Sequence, residues 1–526
     1  MITETVRSEP AAPDVEVSPR WAPLILAGAA VVLVAGLVLR FWTRSHLWLD
    51  EALTVNIANL PLRQIPGALR HDGAPPLYYG LLHVWIRLFG TSAFAVRSLS
   101  GVSSVAAIPV MWLAGRRVAA GTDRRITGPV SVVLLGSSPF AIRYATETRM
   151  YSLVVLMGLL AYLALARILE RAQPRRADLA AFALLCGLLT LTHYWALYLL
   201  TVLAAVLAWK ATRGEAGARH RSLQALVALL AGCLLFVPWL PTFWFQLRHT
   251  GTPWSDPASF GAMVNAISEF AGGRSSSGRA LGLAFFALAG FGLLGAGIDR
   301  TRVEVDLRTR PRGRGLAIVV AGTLAIAIAA GLVSGGAFAA RYAAVAFPPF
   351  LLLVTLGTTV FVDRRILTAV VAAAAVFGLI TASGNVRTDR SQAGQIATVL
   401  RAQFTSGDII GYCPDQLGPA TARLLPAAYD QVTFPRRTGP KFVNWVDYAK
   451  VNQAADPLAF ARFLDHQAGA GHTVWLVWAS QYRTFGAKCE QMAGLLGTLR
   501  PGANQLFEAD TQHFYEHANL VRFPPR

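Results

Sequence analysis

Asp50 and Glu51, in Leu47-Trp48-Leu49-Asp50-Glu51-Ala52, follow directly on the first strongly apolar run of the chain, residues 23–39. Neighbouring carboxylates can take up, hold or share a proton. Acids kept at the edge of hydrocarbon are costly to maintain, so a pair fixed there points to work on something carried by lipid. The pair is read as the reaction centre.

The elements that must hold it are membrane helices. Of 526 residues, 54% are hydrophobic and 15% charged, and the apolar residues fall in runs near the roughly 20 that cross a bilayer as a helix. Such runs lie near 23–39, 94–113, 126–142, 151–168, 179–191, 195–209, 223–245, 281–298, 316–333, 343–362 and 367–382. They predict a polytopic α-helical membrane protein of about eleven spans.

The formal net charge of +19 is no nucleic-acid signature, because much of the excess sits in short linkers between apolar runs and not along one face. Linkers carrying Arg116, Arg117, Arg124 and Arg125, then Arg167, Arg171, Arg175 and Arg176, then Lys210, Arg213, Arg219 and Arg221 alternate with Arg-poor ones. The linkers at 300–314 and at Arg364 and Arg365 continue the alternation. By the positive-inside rule these linkers are cytoplasmic, which predicts a multi-pass plasma-membrane protein with its N-terminus inside and Asp50 outside. No small-residue cleavage site follows the first apolar run, so that run is expected to be a retained helix and not a signal peptide.

The chain divides into a cytoplasmic tail, 1–21, a transmembrane module, 22–385, with a long external loop at 43–92, and a segment, 386–526, exported by the odd number of spans. In that last segment 392–404 and 457–466 have helical spacing, the second with Asp456 as its cap, while 408–413 and 473–478 read as strands. A small extracytoplasmic α/β domain follows, with no glycine fingerprint, metal-ligand spacing or repeat to give it chemistry of its own. Cys413 and Cys489 are expected to pair in an oxidising compartment, two buried thiols being the alternative. Closing so long a loop is worth about 4 kcal/mol on the chain-entropy model. Cys186 and Cys233 read as apolar filler within spans. The Ala-, Arg- and Gly-rich composition suggests a GC-rich bacterium.

In the external loop, His71-Asp72-Gly73-Ala74-Pro75-Pro76-Leu77-Tyr78-Tyr79 leads into an apolar aromatic stretch ending at Phe89-Gly90. The paired prolines start a helix rigidly, and its rings suit a helix lying in the membrane interface. Phe94-Ala95-Val96-Arg97 and Tyr144-Ala145-Thr146-Glu147-Thr148-Arg149-Met150-Tyr151 follow at the ends of later spans. With Asp50-Glu51, this order over about the first 380 residues resembles the glycosyltransferase C superfamily. The nearest likeness is to glycosyltransferase family 39 and its bacterial relatives, the protein O-mannosyltransferases and lipid A aminoarabinose transferases.

The resemblance implies inverting transfer of a sugar, mannose by family frequency, from a polyprenyl-phosphate donor to a protein, lipoglycan or other envelope-glycan acceptor on the outer face. Asp50 is then the general base for the acceptor hydroxyl and Glu51 orients it or shares the load, the plain alternative being acids that cap a helix start. A phosphate leaving group calls for cations, and the external-side candidates are Arg341 and Arg149. Arg341, in Ala339-Ala340-Arg341-Tyr342, is the stronger, against a reading as a snorkelling anchor. His193, in His193-Tyr194-Trp195, is a further candidate for binding the phosphate or the acceptor, or a packing residue.

Glu147 is expected to position substrate or to pair with Arg149. Tyr342, His71 and Tyr79 are taken as substrate-positioning; Asp72 is a second acid, a metal ligand or a turn residue before Gly73. Trp48 stacks on a sugar or marks the headgroup belt. No metal and no cofactor is expected, and the partners are lipids, donor and acceptor, with no nucleic acid. Two other classes fit the same chain: a flippase or transporter of lipid-linked sugars, and an inactive scaffold whose exported domain binds envelope glycan. The candidate residues gather at external ends, which favours one-sided chemistry.

Overall fold

The computed structural model describes residues 22–526 except 120, 252–257, 274, 335–337 and 481. The tail 1–21 lies outside the described residues.

Helix α1 (Ala22–Phe41) opens the membrane module, and the loop 43–92 folds as α2 (Leu49–Ala58), α3 (Ile65–Asp72) and α4 (Leu77–Phe89). There follow α5 (Ala93–Val118), α6 (Arg124–Gly136) and α7 (Pro139–Ala145). The last two are bent by 53°, and the break has local causes. Pro139 cannot continue α6, and Ser138 caps α7 by accepting the Ala141 amide. Arg40 of α1 donates to the carbonyls of Leu135 and Gly136 at the end of α6. The helices approach this closely because Gly36 has no side chain; a Cβ there would lie 2.1 Å from the Gly136 oxygen.

The module continues with α8 (Tyr151–Glu170), α9 (Arg176–Thr192), α10 (Trp195–Arg213), α11 (Ala216–Cys233), α12 (Leu240–His249), α13 (Phe260–Phe270) and α14 (Ser276–Leu294). A hairpin of β1 (Gly295–Gly297) and β2 (Val303–Val305) occupies the Arg-rich linker before α15 (Pro311–Ser334), α16 (Phe347–Gly357) and α17 (Arg364–Arg387). Among the described residues nine helical segments are long and apolar enough to cross a bilayer, ten with α6 and α7 as one bent span. Helix α9, with 17 residues, packs against α8 and α11 where the sequence predicts a further span. Helix α16 is buried along nearly its whole length and forms the centre of the bundle, as a helix apolar on every side must.

The C-terminal domain comprises α18 (Ala393–Gln403), β3 (Ile409–Cys413), α19 (Gly418–Ala422), β4 (Asp430–Thr433), α20 (Tyr448–Ala454), α21 (Pro457–Ala468), β5 (Val474–Trp478), α22 (Lys488–Leu499), β6 (Asn504–Phe507) and β7 (Asn519–Phe523). Its sheet runs β4-β3-β5-β7-β6, with β3 parallel to both β4 and β5, and β7 antiparallel to β5 and β6. Strand β3 and nearly all of β5 are buried, as central strands covered on both faces are. Asp456 caps α21 through the amides of Leu458 and Ala459, and a disulfide joins Cys413 to Cys489.

This domain rests on the loop 43–92 and on the end of α12. The Trp445 amide donates to the His71 carbonyl at 3.0 Å, the Asp447 amide to His249 at 2.8 Å, and Arg423 to Asn56 Oδ1 at 3.0 Å. Hydrogen bonds from two segments, at Arg423 and at 445–447, hold the C-terminal domain against α2, α3 and α12.

Candidate active site

Helix α2 begins at Leu49 without a side-chain cap from its own N-cap residue, Trp48. The missing acceptor comes from the other end of the chain: Glu516 accepts the Leu49 amide at 2.6 Å. Asp50 lies in the next position, where the positive end of a helix favours an anion. Its Oδ2 is 3.3 Å from Arg341 Nη2, an ion contact and not an aligned hydrogen bond, with the two side chains 16% and 14% exposed. The Arg341 guanidinium also lies 5.7 Å from the Trp48 ring centroid and 5.6 Å from that of Tyr342, distances at which a cation is drawn to a ring.

Arg149 reaches the same place through α2 itself. It donates to Thr54 Oγ1 at 2.9 Å, while that hydroxyl donates to the Asp50 carbonyl at 2.6 Å. Asp72 enters from the end of α3, held by the Tyr79 hydroxyl at 2.7 Å. Burial pushes the Asp72 carboxyl above the usual carboxylate range, and the opposing pull of Arg149 and Tyr79 does not cancel it. His193 caps α9, and its Nδ1 accepts the Trp195 amide; the neutral ring then carries its proton on Nε2 as a donor.

Asp50, Asp72, Arg149, Arg341, His193, Tyr342 and Trp48 all line one cavity of ≈ 670 Å³. The sequence distributes these residues over the loop 43–92, span ends and linkers; the fold gathers them.

Glu51, Glu147, His71 and Tyr79 do not line it. Glu51 is fully buried, bound by Arg97 through both oxygens at 2.7 and 2.5 Å and by the Thr148 amide at 2.9 Å. Burial alone would raise its pKa, but Arg97, with Arg390 and the Thr148 amide, outweighs this and holds the carboxyl below the usual range. Glu147 faces Arg390 at 3.6 Å, so the expected pairing with Arg149 is replaced by one to the linker that leads into the C-terminal domain. Burial dominates there, and the Glu147 carboxyl is raised. His71 is exposed, bonding only within α3 through Nδ1 to Gly67 O and holding the C-terminal domain through its carbonyl. Tyr79 acts on the cavity at one remove, through Asp72.

The C-terminal domain, silent in sequence, supplies a wall of the cavity that includes Trp445, Tyr482, Arg483, Tyr515, Glu516 and His517. The Glu516 carboxyl is pushed up to about 8 by burial, with Asp50 and Glu51 adding to it against the Leu49 amide and Ser391. It is therefore mainly protonated near neutrality. The residues that sequence reading passed over, Arg97, Arg390 and Glu516, are ionisable groups next to the acidic pair only in space. Arg97 alone carried a signal, standing inside one of the motifs.

Among the described residues no three His, Cys, Asp or Glu side chains are grouped to hold a metal ion. What the site offers is a partly exposed carboxylate, two arginines beside it, a second carboxyl and an imidazole donor, around a cavity that can hold a small polar group.

No family model and no curated protein matches the sequence. Solved structures do. ArnT from Cupriavidus metallidurans bound to undecaprenyl phosphate is 14% identical, with a TM-score of 0.56, covering 96% of this chain and 98% of that one. The apo state of the same protein gives a TM-score of 0.55 at 14% identity, covering 95% and 98%. The chain therefore shares the fold of that protein over nearly its whole length, C-terminal domain included.

Proposed function

We propose that the protein is an inverting glycosyltransferase that moves a sugar from a polyprenyl-phosphate donor to a hydroxyl of a cell-envelope or protein acceptor. The observation that carries this reading is the Asp50–Arg341 pair facing a cavity, with Arg149 alongside. The likeness to a structure that holds undecaprenyl phosphate supports it. Donor phosphate attracts Arg341 away from Asp50, since a guanidinium fork fits phosphate oxygens. That frees the Asp50 carboxylate to take the acceptor hydroxyl's proton as its oxygen attacks the anomeric carbon. The bond from that carbon to the phosphate oxygen breaks, and polyprenyl phosphate leaves with the electron pair. Arg341 and Arg149 hold the charge that develops on it. Glu51, Arg97, Glu147 and Arg390 are the buried frame that keeps α2 in place.

Mannose is the proposed sugar, and arabinose is tested beside it. Purified protein, a panel of polyprenyl-phosphate sugars and an envelope extract test the reading directly: the mass of the product gives sugar and acceptor class together, and absence of transfer from every donor rejects it. In the same assay Arg341→Ala is expected to lower donor kcat/KM by roughly tenfold to a hundredfold and to leave acceptor KM unchanged. Lys at this position recovers part of the loss, since it restores charge but not the fork. Unaltered donor kinetics in the alanine variant would make Arg341 a membrane anchor.

The chemistry is proposed to face outwards from the plasma membrane. A membrane-impermeant thiol reagent applied to intact cells is expected to label a Cys placed at the exposed positions Arg44 or Gln505, and not one at Arg312. Labelling at Arg312 alone reverses the orientation.

A further inference from the structure

The cavity has two walls of different character. Tyr198 of α10, Phe243 of α12 and Ala327 of α15 belong to membrane helices, whereas Trp445, Tyr482, Arg483 and Tyr515 belong to the soluble domain. If the transfer reading holds, on which this inference rests, the donor's tail lies in the bilayer and the membrane wall is the donor's. The soluble wall is left for the acceptor.

Tyr515 is the informative residue on that wall. At 64% exposure it is the most exposed large aromatic of the C-terminal domain among the described residues. Lipid contact cannot explain this, as it does for the exposed side chains of the spans. Its ring meets Trp48 edge to face, with centroids 5.2 Å apart, and its neighbour Glu516 is the acceptor that fixes the start of α2. The backbone on either side is tied down as well: the Glu516 amide donates to the Arg390 carbonyl and the Glu516 carbonyl accepts from Gln392. A ring presented on so firm a base, open to water and touching the residue two before Asp50, is a platform without an occupant of its own.

We propose that the exposed Tyr515 ring, braced edge to face by Trp48, is the stacking platform of an acceptor subsite, and that the acceptor is a carbohydrate. The C–H bonds of a pyranose face are weakly positive and lie well on the negative face of an aromatic ring. Trp48 Nε1 is buried on the cavity wall with no hydrogen-bond partner, in a side chain only 6% exposed. A sugar hydroxyl satisfies such a donor, and the exposed Arg483 provides more donors on the same wall. A peptide acceptor would find less to use. Strand addition needs a free sheet edge, and no residue of the edge strands β4 or β6 lines the cavity.

The test uses full-length protein in lipid nanodiscs. Saturation-transfer NMR is recorded with a panel of neutral tri- to hexasaccharides of mannose, galactose and arabinose, and with a Ser/Thr-rich peptide of similar mass. Ring protons of at least one oligosaccharide are expected to be saturated by the wild type and by Tyr515→Phe, with binding about tenfold weaker in Tyr515→Ala. In the transfer assay Tyr515→Ala raises acceptor KM by a similar factor and leaves donor KM unchanged. The proposal is overturned if no oligosaccharide binds, if the peptide binds in their place, or if alanine leaves sugar binding unaltered. The NMR readout needs no turnover. Sugar binding that depends on Tyr515 in a protein that transfers nothing sinks the transferase reading, whereas transfer with binding indifferent to Tyr515 sinks the subsite alone.

Discussion

Asp50→Asn is expected to insert and fold as the wild type does and to transfer sugar about a thousandfold more slowly, within the range that a positioned general base contributes. The substitution is close to isosteric. The hydrogen bonds that fix this turn, from Leu49 to Glu516 and from Thr54 to the Asp50 carbonyl, use backbone atoms that Asn keeps. What disappears is the carboxylate charge 3.3 Å from Arg341 and the capacity to take the acceptor proton. The two losses have opposite consequences for the donor. Without its carboxylate partner Arg341 meets the donor phosphate at no cost of separation, so donor KM should fall or stay level while kcat collapses. Initial rates at varied donor concentration, with thermal unfolding in detergent as the folding control, check this. Wild-type turnover in a correctly inserted variant would remove Asp50 from the chemistry, and a raised donor KM would assign it to donor binding.

The parts of this site legible in sequence are those whose signal is local. Hydropathy placed the spans, because a bilayer imposes one length and one polarity on every crossing helix. Acids and arginines at span ends stood out because charge near hydrocarbon is costly, and Asp50, Arg149 and Arg341 do converge on one cavity. The strands at 409–413 and 474–478 were readable as short apolar runs, but their places in the sheet were not, since pairing order leaves no mark in periodicity.

The frame was hidden for a different reason. Glu51 and Arg97 are 46 residues apart in sequence, and Leu49 and Glu516 are 467 apart, so nothing in the spacing announces either contact. Proximity of Asp50 and Glu51 in sequence was misleading in the same way. In the first turn of a helix consecutive side chains point about a third of a turn apart. One therefore faces the cavity and its neighbour the interior. The C-terminal domain showed no motif because its contribution is made by single residues, Tyr515 and Glu516, presented by a folded edge.

Glu51 should consequently fail in a way that Asp50 does not. Its carboxylate takes both donors of Arg97 with both partners almost wholly out of water, and Arg390 stands 3.8 Å away. Glu51→Ala leaves those guanidinium groups buried around an empty place, and removing one member of a buried pair costs about 3–5 kcal/mol. The expected result is a large fall in the unfolding temperature in detergent and poor accumulation in the membrane. Glu51→Gln, which can still accept the Thr148 amide, is less severe. Replacing the pair together, Glu51→Gln with Arg97→Met, recovers much of the loss, because the penalty lies in the orphaned charge more than in the missing attraction. The pH dependence has a definite sign. A carboxyl whose folded pKa is depressed stabilises the protein above the ordinary glutamate value of about 4.3, and that contribution fades as pH falls through the lower folded value. Asp50→Asn and Glu51→Ala both lose transfer, but for Glu51 the loss per correctly folded molecule should be small, and ligands or lipids that stabilise the fold should restore activity. A Glu51→Ala protein that unfolds at the wild-type temperature and is still as inactive as Asp50→Asn would place Glu51 in the chemistry and Arg97 as its activator.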